Sequence, residues 1–455
     1  MADRPTSGRP VPVPSGRALR LARLGSLATG VFGSVAFNGA REVARGRRPG
    51  LRDLVMTPAN LHRVTNELAQ MRGAAMKIGQ LISMDAGEVL PTELAEILGR
   101  LRSDAHFMPP RQLKEVLNAN WGKDWLREFE RFDVRPIAAA SIGQVHRAKL
   151  RDGRELAIKV QYPGVARSIG SDVANVGALL RLSGLLPQGF DPAPYLDEAR
   201  AQLAEETDYL REGRHLERFR ARLADAPEFE VPAFQEDWST GEVLAMSFAE
   251  GRPIEEAAGE SQEARNRIAS LLIDLSLREL FIFGEVQSDP NFANYLDQPA
   301  TGRIVLLDFG ATRVIEPGLA ALYRQLLAAG LQGDRDAMHD AATGIGFLSP
   351  AIAPRHRARI EGMMEMAFAA IRETEAWDFA DLTLSRRMQA EGLALAEDGF
   401  VPPPVPMDVL YLQRKFGGLF LLASRLGARL PLRELLAPYL QGGGCDPSSA
   451  RLAAG

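Results

Sequence analysis

Four short pieces of this 455-residue chain carry side chains suited to phosphate chemistry, and they occur in one order. Lys159 closes the apolar run Ala157-Ile158-Lys159-Val160; a strand-borne lysine emerging beside a small-residue loop can hold a diphosphate, and otherwise merely snorkels to water. Glu205, Glu206, Asp208 and Glu212 follow on a helical stretch, where an acidic face is ordinarily solvated. Asp289 and Asn294, in Ser-Asp-Pro-Asn-Phe-Ala-Asn, can present a carboxylate to a hydroxyl and an amide to a metal, whereas Asp-Pro-Asn alone is a turn. Asp308-Phe309-Gly310 follows the apolar run Ile304-Val305-Leu306-Leu307, and a carboxylate at a strand end is a common Mg²⁺ ligand. Each piece alone is weak. Their common order points to phosphoryl transfer.

Texture along the chain indicates the elements that would hold these residues. Positions 58–118 follow a helical period, with Leu61, Val64, Leu68, Met71, Ile78, Leu81 and Ile82 on one stripe and Leu94, Ile97, Leu98 and Leu101 on another. Pro109-Pro110 breaks the pattern. Two strand-like runs, Gly143 to Leu150 and Glu155 to Gln161, are joined by Arg151-Asp152-Gly153-Arg154 and read as a hairpin, with a small-residue loop before it. Helical texture resumes over Ser168 to Leu223. Short strands are expected near Val231, from Val243 to Phe248, near Tyr295 and from Ile304 to Leu307, and a helix from Gly318 to Leu331. The chain shows no internal repeat and no heptad array.

Composition bounds the reading. With 46% hydrophobic and 25% charged residues the chain is globular, and its length suits two or three domains. A net charge of -4 argues against a dedicated nucleic-acid binder. The single cysteine, Cys445, excludes an intramolecular disulfide and a multi-cysteine zinc site, and a reducing compartment fits. Only six of the 54 basic residues are lysines, so each lysine stands where a compact ammonium is favoured over a guanidinium. The first 50 residues carry nine arginines against Asp3 and Glu42. Within them Leu24 to Ala40 is uncharged, too short and Gly-rich for a transmembrane helix, and reads either as a helix packed on the core or as a membrane-surface segment.

Hairpin lysine, helix glutamate, Asp plus Asn, then strand and Asp-Phe-Gly match the protein-kinase set of roles. Two departures narrow the resemblance. Ala138-Ala139-Ala140-Ser141-Ile142-Gly143-Gln144 stands where kinases have a Gly-rich loop, and Lys77-Ile78-Gly79-Gln80 lies upstream on a helix. With Glu206-x-Asp208, and with the Asp-Pro-Asn beginning at Asp289, the chain resembles the UbiB-type (AarF) atypical kinase-like family, in the branch that includes the mitochondrial atypical kinase of coenzyme Q biosynthesis. The resemblance implies an α+β, bilobal protein-kinase-like fold with an N-terminal helical extension covering the cleft. The corresponding divisions are a basic segment over 1–50, a helical extension over 51–130, an N-lobe over 131–250, a helical C-lobe over 251–440 and a tail over 441–455.

Carried residue by residue, the resemblance places Lys159 on the nucleotide phosphates with Glu212 as partner, and Asp289 in the catalytic-base position. Asn294 and Asp308 become metal ligands, and Ala138, Ala139, Ala140, Ser141, Met246 and Phe248 line the nucleotide. Lys77 and Gln80 face Glu206 and Asp208, and which glutamate serves which lysine stays open. If Glu206 and Glu212 shared one ideal helix, they would point about 120° apart and could serve different lysines. ATP or ADP with Mg²⁺ is the implied cofactor set. The implied partners are ubiquinone precursors or the enzymes that handle them, a membrane surface and a second copy of the chain; nucleic acid is not among them. The implied location is cytoplasmic, on the inner membrane of a bacterium. Gln287-Ser288-Asp289 replaces the usual His-Arg-Asp, and no Ala-Pro-Glu follows Gly310, so phosphorylation of proteins in trans is disfavoured. The alternatives are a small-molecule or protein kinase, and a nucleotide-sensing scaffold without turnover.

Overall fold

The structure is a computed structural model that describes Ala74, Lys77 and Ile78 together with residues 107–183, 192–403 and 405–440. The basic segment, the apolar stretch 24–40, Gln80, most of the helical extension and the tail fall outside the described residues. The chain divides into two compact units, one running to Arg220 and resuming at Pro232–Ala249, the other made of Ala221–Val231 and the chain from Glu250 onward. As expected from the sequence the class is α+β. Among the described residues no helix is long and apolar enough to cross a membrane.

In the first unit, helix α1 (Pro110–Trp121) opens with proline at its first position, where the missing N–H is needed by no hydrogen bond. The Pro109-Pro110 pair therefore starts a helix as well as ending the preceding pattern. Strands β1 (Phe129–Phe132), β2 (Ala138–Ala139), β3 (Gly143–Leu150) and β4 (Glu155–Gln161) follow, the last two with the limits expected from the two strand-like runs. Helices α2 (Val165–Ser183), α3 (Ala193–Glu206) and α4 (Tyr209–Arg222) come next. Strand β5 (Phe229–Glu230) belongs to the second unit, and β6 (Val243–Ser247) returns to the first.

The sheet order is β1-β3-β4-β6, with β2 on β3, and every pairing is antiparallel. Its period of two decides what each face does. Leu156, Ile158 and Val160 of β4, with Val243 and Ala245 of β6, pack on Leu113, Val116 and Leu117 of α1. Each buried Leu, Ile or Val among them stabilises the fold by roughly 1.5–3 kcal/mol. The intervening residues Ala157, Lys159 and Gln161 are thereby turned to the opposite face.

The helical texture over 168–223 resolves into three helices. Thr207 and Asp208 separate α3 from α4, and the Asp208 carboxylate accepts the Arg211 N–H at 2.9 Å, capping α4. Glu206 and Glu212 thus lie on different helices. Their separation comes from this break and not from rotation around one ideal helix.

The second unit contains β7 (Arg252–Pro253), α5 (Gln262–Arg278), a single π turn (Glu279–Phe283), β8 (Glu285–Gln287), β9 (Tyr295–Gln298), β10 (Arg303–Leu306) and β11 (Thr312–Val314). Helices α6 (Pro317–Gln332), α7 (Arg335–Ile345) and α8 (Pro354–Glu373) follow. The chain ends in β12 (Trp377–Asp378), α9 (Thr383–Glu397), α10 (Met407–Leu426), β13 (Arg429–Leu430) and α11 (Leu432–Leu440). Its larger sheet has the order β5-β10-β9-β7, and β8 pairs β11 as a separate ribbon. Leu280, Val286, Tyr323, Met338, Val409 and Leu412 share the main core.

A buried polar relay ties residues just before α1 to the sheet. Gln144 Oε1 accepts the Met108 N–H at 2.8 Å, Gln144 Nε2 lies 2.8 Å from His146 Nε2, and His146 Nδ1 lies 2.7 Å from the Asp133 carbonyl. Since the Gln144 carbonyl is already used, its amide must donate to His146 Nε2, which fixes the neutral imidazole with its proton on Nδ1. Burial lowers the His146 pKa from 6.5 to about 4. The unfolded chain therefore binds a proton that the folded chain does not, and this contribution, present above pH 6.5, is lost as pH falls toward about 4. Its full size is about 3 kcal/mol. In a His146→Asn variant, chemical denaturation between pH 6.5 and 5 should show a shallower fall of stability than wild type; equal slopes would mean that His146 is not held neutral.

Candidate functional site

Lys159 stands on the sheet face opposite α1, flanked in sequence by the core residues Ile158 and Val160. Its ammonium donates to both carboxylate oxygens of Glu212 at 2.8 and 2.9 Å, and lies 5.1 Å from the centre of the Tyr209 ring. Lys159 and Glu212 are both buried, in a setting where an unpaired charge is strongly disfavoured. Glu212 reaches the lysine from the first turn of α4. Met246 pairs with Ala157 across β4 and β6, which puts it on the face that carries Lys159. The Phe248 N–H donates to the Glu155 carbonyl at 2.8 Å, and its ring lies under the Arg147 guanidinium, 4.1 Å away. Arg147, which also pairs with Glu155 at 2.6 Å, carries no motif and was not legible as a neighbour of this face.

The alanine run is not an open loop. Ala138 and Ala139 form β2 against Val145 and Gln144, and the Ala140 N–H donates to the Gly143 carbonyl at 2.9 Å, closing a tight turn. A Cβ at Gly143 would fall 2.4 Å from the Val160 carbonyl oxygen and 2.9 Å from the Tyr209 hydroxyl, so only glycine lets the turn enter β3 here. At the turn's tip the Ser141 hydroxyl donates to Glu206 Oε2 at 2.7 Å. The other oxygen of Glu206 accepts from the buried Lys77 ammonium. One carboxylate at the end of α3 therefore joins the alanine turn to the helix that carries Lys77.

The pairing left open by the sequence is thus resolved, with Lys77 on Glu206 and Lys159 on Glu212. Asp208 caps α4 and lies 3.6 Å from Arg214.

In the second unit the structure brings Asp289, Asn294 and Asp308 together through backbone register. Strand β9 pairs β10 from Tyr295↔Leu306, and the Leu307 N–H donates to the Asn294 carbonyl at 2.9 Å, so Asn294 and Asp308 leave the same end of one hairpin. The Asn294 amide donates to the Asp289 carbonyl at 3.2 Å, which leaves its Oδ1 as the acceptor. Asp308 Oδ1 accepts the Gly310 N–H at 2.9 Å. Ser288, in the place of the usual arginine, donates both its N–H and its hydroxyl to the Ala311 carbonyl, at 3.0 and 2.8 Å. Gln287 pairs with Thr312 across β8 and β11. The loop bearing Asp289 is in this way sewn to the segment that follows Phe309. One carboxylate and one amide oxygen suit Mg²⁺, which keeps waters and substrate phosphates as its other ligands. Among the described residues no group of three or more acidic, histidine or cysteine side chains could hold a metal without such help.

Residues 100–342, more than half of the chain, match the ABC1 atypical kinase-like domain. The mitochondrial atypical kinase COQ8 of Saccharomyces cerevisiae is 38% identical over 425 residues, covering 93% of this chain and 84% of the yeast protein. The mitochondrial atypical kinase COQ8B of Rattus norvegicus is 38% identical over 436 residues, covering 93% of this chain and 80% of the rat protein. In fold, the chain is similar to the solved complex of Rv3197 with erythromycin from Mycobacterium tuberculosis, with a TM-score of 0.60 at 24% identity over 84% of this chain and 95% of that one.

The Lys77–Glu206 contact makes a measurable claim. Lys77→Ala, Glu206→Ala and their double variant should show a coupling above roughly 0.5 kcal/mol in unfolding free energy. Strictly additive losses would mean that the two side chains do not share an interaction in solution.

Proposed function

The chain belongs to the ABC1 atypical kinase-like family, and from that premise we propose that it is an atypical kinase-like ATPase that binds MgATP or MgADP and supports ubiquinone (coenzyme Q) biosynthesis. The observation that carries the reading is the buried Lys159–Glu212 pair, an ammonium held at fixed geometry on the sheet face that also carries Met246. In this reading Lys159 contacts the α- and β-phosphates, and the turn Ala138–Ser141 with Met246 and Phe248 lines the nucleotide. Asn294 and Asp308 hold Mg²⁺, whose charge would draw electrons from the transferring phosphoryl group. Asp289 orients the attacking hydroxyl and takes its proton as the new O–P bond forms and the bond to the ADP oxygen breaks. Lys77, Gln80, Glu206 and Asp208 form a regulatory group through which the helical extension acts on the alanine turn, and the Ser141–Glu206–Lys77 chain supports that role.

Water or a small acceptor is favoured over a protein. Residues 311–316 alone separate Gly310 from α6, which leaves no long peptide-docking segment after Asp-Phe-Gly. The mitochondrial COQ8 relatives support a role in coenzyme Q synthesis, with ubiquinone precursors or the enzymes that handle them as partners. Such precursors are apolar, which favours peripheral association with the bacterial inner membrane through the segment 24–40. The domain division set out from the sequence and a homodimer complete the proposal.

Two isosteric substitutions separate the roles. Asp308→Asn should abolish Mg²⁺-dependent nucleotide binding, because a neutral amide cannot replace the carboxylate at a dication; unchanged MgADP affinity by calorimetry would sink the assignment. Asp289→Asn should keep MgADP affinity and lose ATP turnover by about 10²-fold or more, and undiminished hydrolysis would remove Asp289 from the base position. For the pathway, a deletion strain carrying Asp308→Asn should show the quinone and precursor profile of the empty deletion, whereas a wild-type profile would place the chain elsewhere.

A further inference from the structure

The loop Gln287–Asn294 contains no lysine, arginine or histidine, so nothing within it can hold the Asp289 carboxylate by charge. A cation arrives from far along the chain. Arg414 Nη2 donates to Asp289 Oδ1 at 2.7 Å, and both side chains are mostly withdrawn from solvent, at 12% and 21% exposure. Arg414 lies in the middle of α10, and its neighbours on one helical stripe meet the Asp289 loop, residues on either side of it, or the strand paired with β8. Three residues before Arg414, the Tyr411 ring lies under the Arg313 guanidinium of β11 at 5.0 Å. Next in sequence, the Lys415 ammonium lies 2.9 Å from Glu279 in the π turn and 3.5 Å from the Tyr295 hydroxyl, beside Asn294. One turn on, a Cβ at Gly418 would fall 2.3 Å from Pro290 Cβ, so only glycine lets the helix lie against the loop. Positions 411, 414, 415 and 418 are spaced i, i+3, i+4 and i+7, the spacing of one helix face.

We propose that this face of α10 is the positioning element for the Asp289–Asn294 loop, with Arg414 as the positioning residue that holds the Asp289 carboxylate from outside the loop. The proposal rests on the reading of Asp289 as the base. Arg414 occupies one carboxylate oxygen and leaves Oδ2 outside the ion pair, so Asp289 can be oriented while still accepting a proton. Lys415 fixes the helix on which Arg414 stands. Glu279 precedes β8, which leads into Gln287-Ser288-Asp289, so its ion pair with Lys415 holds the approach to the loop. Burial acts to lower the Lys415 pKa, but Glu279 and Tyr295 outweigh it and keep the ammonium charged.

A role in positioning predicts a split between kcat and KM. In the full-length protein, Arg414→Gln should lower kcat for ATP turnover by at least about tenfold while KM for MgATP and MgADP affinity stay within about threefold, as expected for a contact that matters in the transition state. Because the contact described is a single hydrogen bond and not a bidentate fork, Arg414→Lys should restore kcat to within about threefold of wild type. In the Asp289→Asn background, Arg414→Gln should cause no further loss. Loss of kcat in Arg414→Lys equal to that in Arg414→Gln would overturn the proposal, as would wild-type kcat in Arg414→Gln. If Arg414→Gln fails to fold, Arg414→Lys decides alone: kcat within about threefold of wild type supports the proposal and a loss of about tenfold or more overturns it. Undiminished turnover in Asp289→Asn would instead overturn the reading of Asp289, whatever Arg414 does.

Discussion

A buried lysine ammonium loses its hydration and is costly unless an opposite charge offsets the loss, and that constraint sets how several elements of this chain meet. Three of the chain's six lysines are buried in the described structure, and each faces one glutamate: Lys77 on Glu206, Lys159 on Glu212 and Lys415 on Glu279. No arginine is buried among the described residues, although arginine is by far the commoner basic residue. Breaking one such pair leaves the other charge stranded, at a cost of about 3–5 kcal/mol. The pairs therefore fix geometry even where their net contribution to stability is small.

Each pair anchors a different part of the structure. The alternation of β4 turns Lys159 away from the α1 core, and a carboxylate must then come from another element. The break at Thr207 and Asp208 supplies it by starting α4 at Tyr209, with Glu212 in its first turn. The same break ends α3 at Glu206, which is left to hold both Lys77 and the tip of the alanine turn. In the second unit, Lys415 and Glu279 secure α10 against the approach to the Asp289 loop, and the neighbouring Arg414 reaches the carboxylate itself. A loop without its own cation can hold an oriented aspartate because a distant helix lies against it.

What was legible in the sequence was local. The β3–β4 hairpin showed itself as two strand-like runs around an Asp-Gly turn, and the motif order singled out Lys159, Asp289, Asn294 and Asp308 as the residues of the proposed site. Helix α6 was readable nearly to the residue. The break between α3 and α4 was hidden because Thr207 and Asp208 sit in an acidic, helix-favouring run, and only a capping bond to Arg211 shows Asp208 as a helix start. The α10 stripe was hidden for another reason. Arg414 and Asp289 are 125 residues apart, and a single sequence carries no trace of such a contact. The one available signal was the rarity of lysine, which marked Lys415 as unusual without indicating its partner.

The central claim is that the Lys159–Glu212 pair exists to present an ammonium to nucleotide phosphates. Glu212→Gln keeps the shape of the side chain and removes the charge that holds Lys159. Calorimetric titration of the folded variant with MgADP tests the claim directly. The account predicts affinity weakened by at least about tenfold, the loss of one charge-assisted hydrogen-bonded pair. Affinity equal to that of wild type would contradict it.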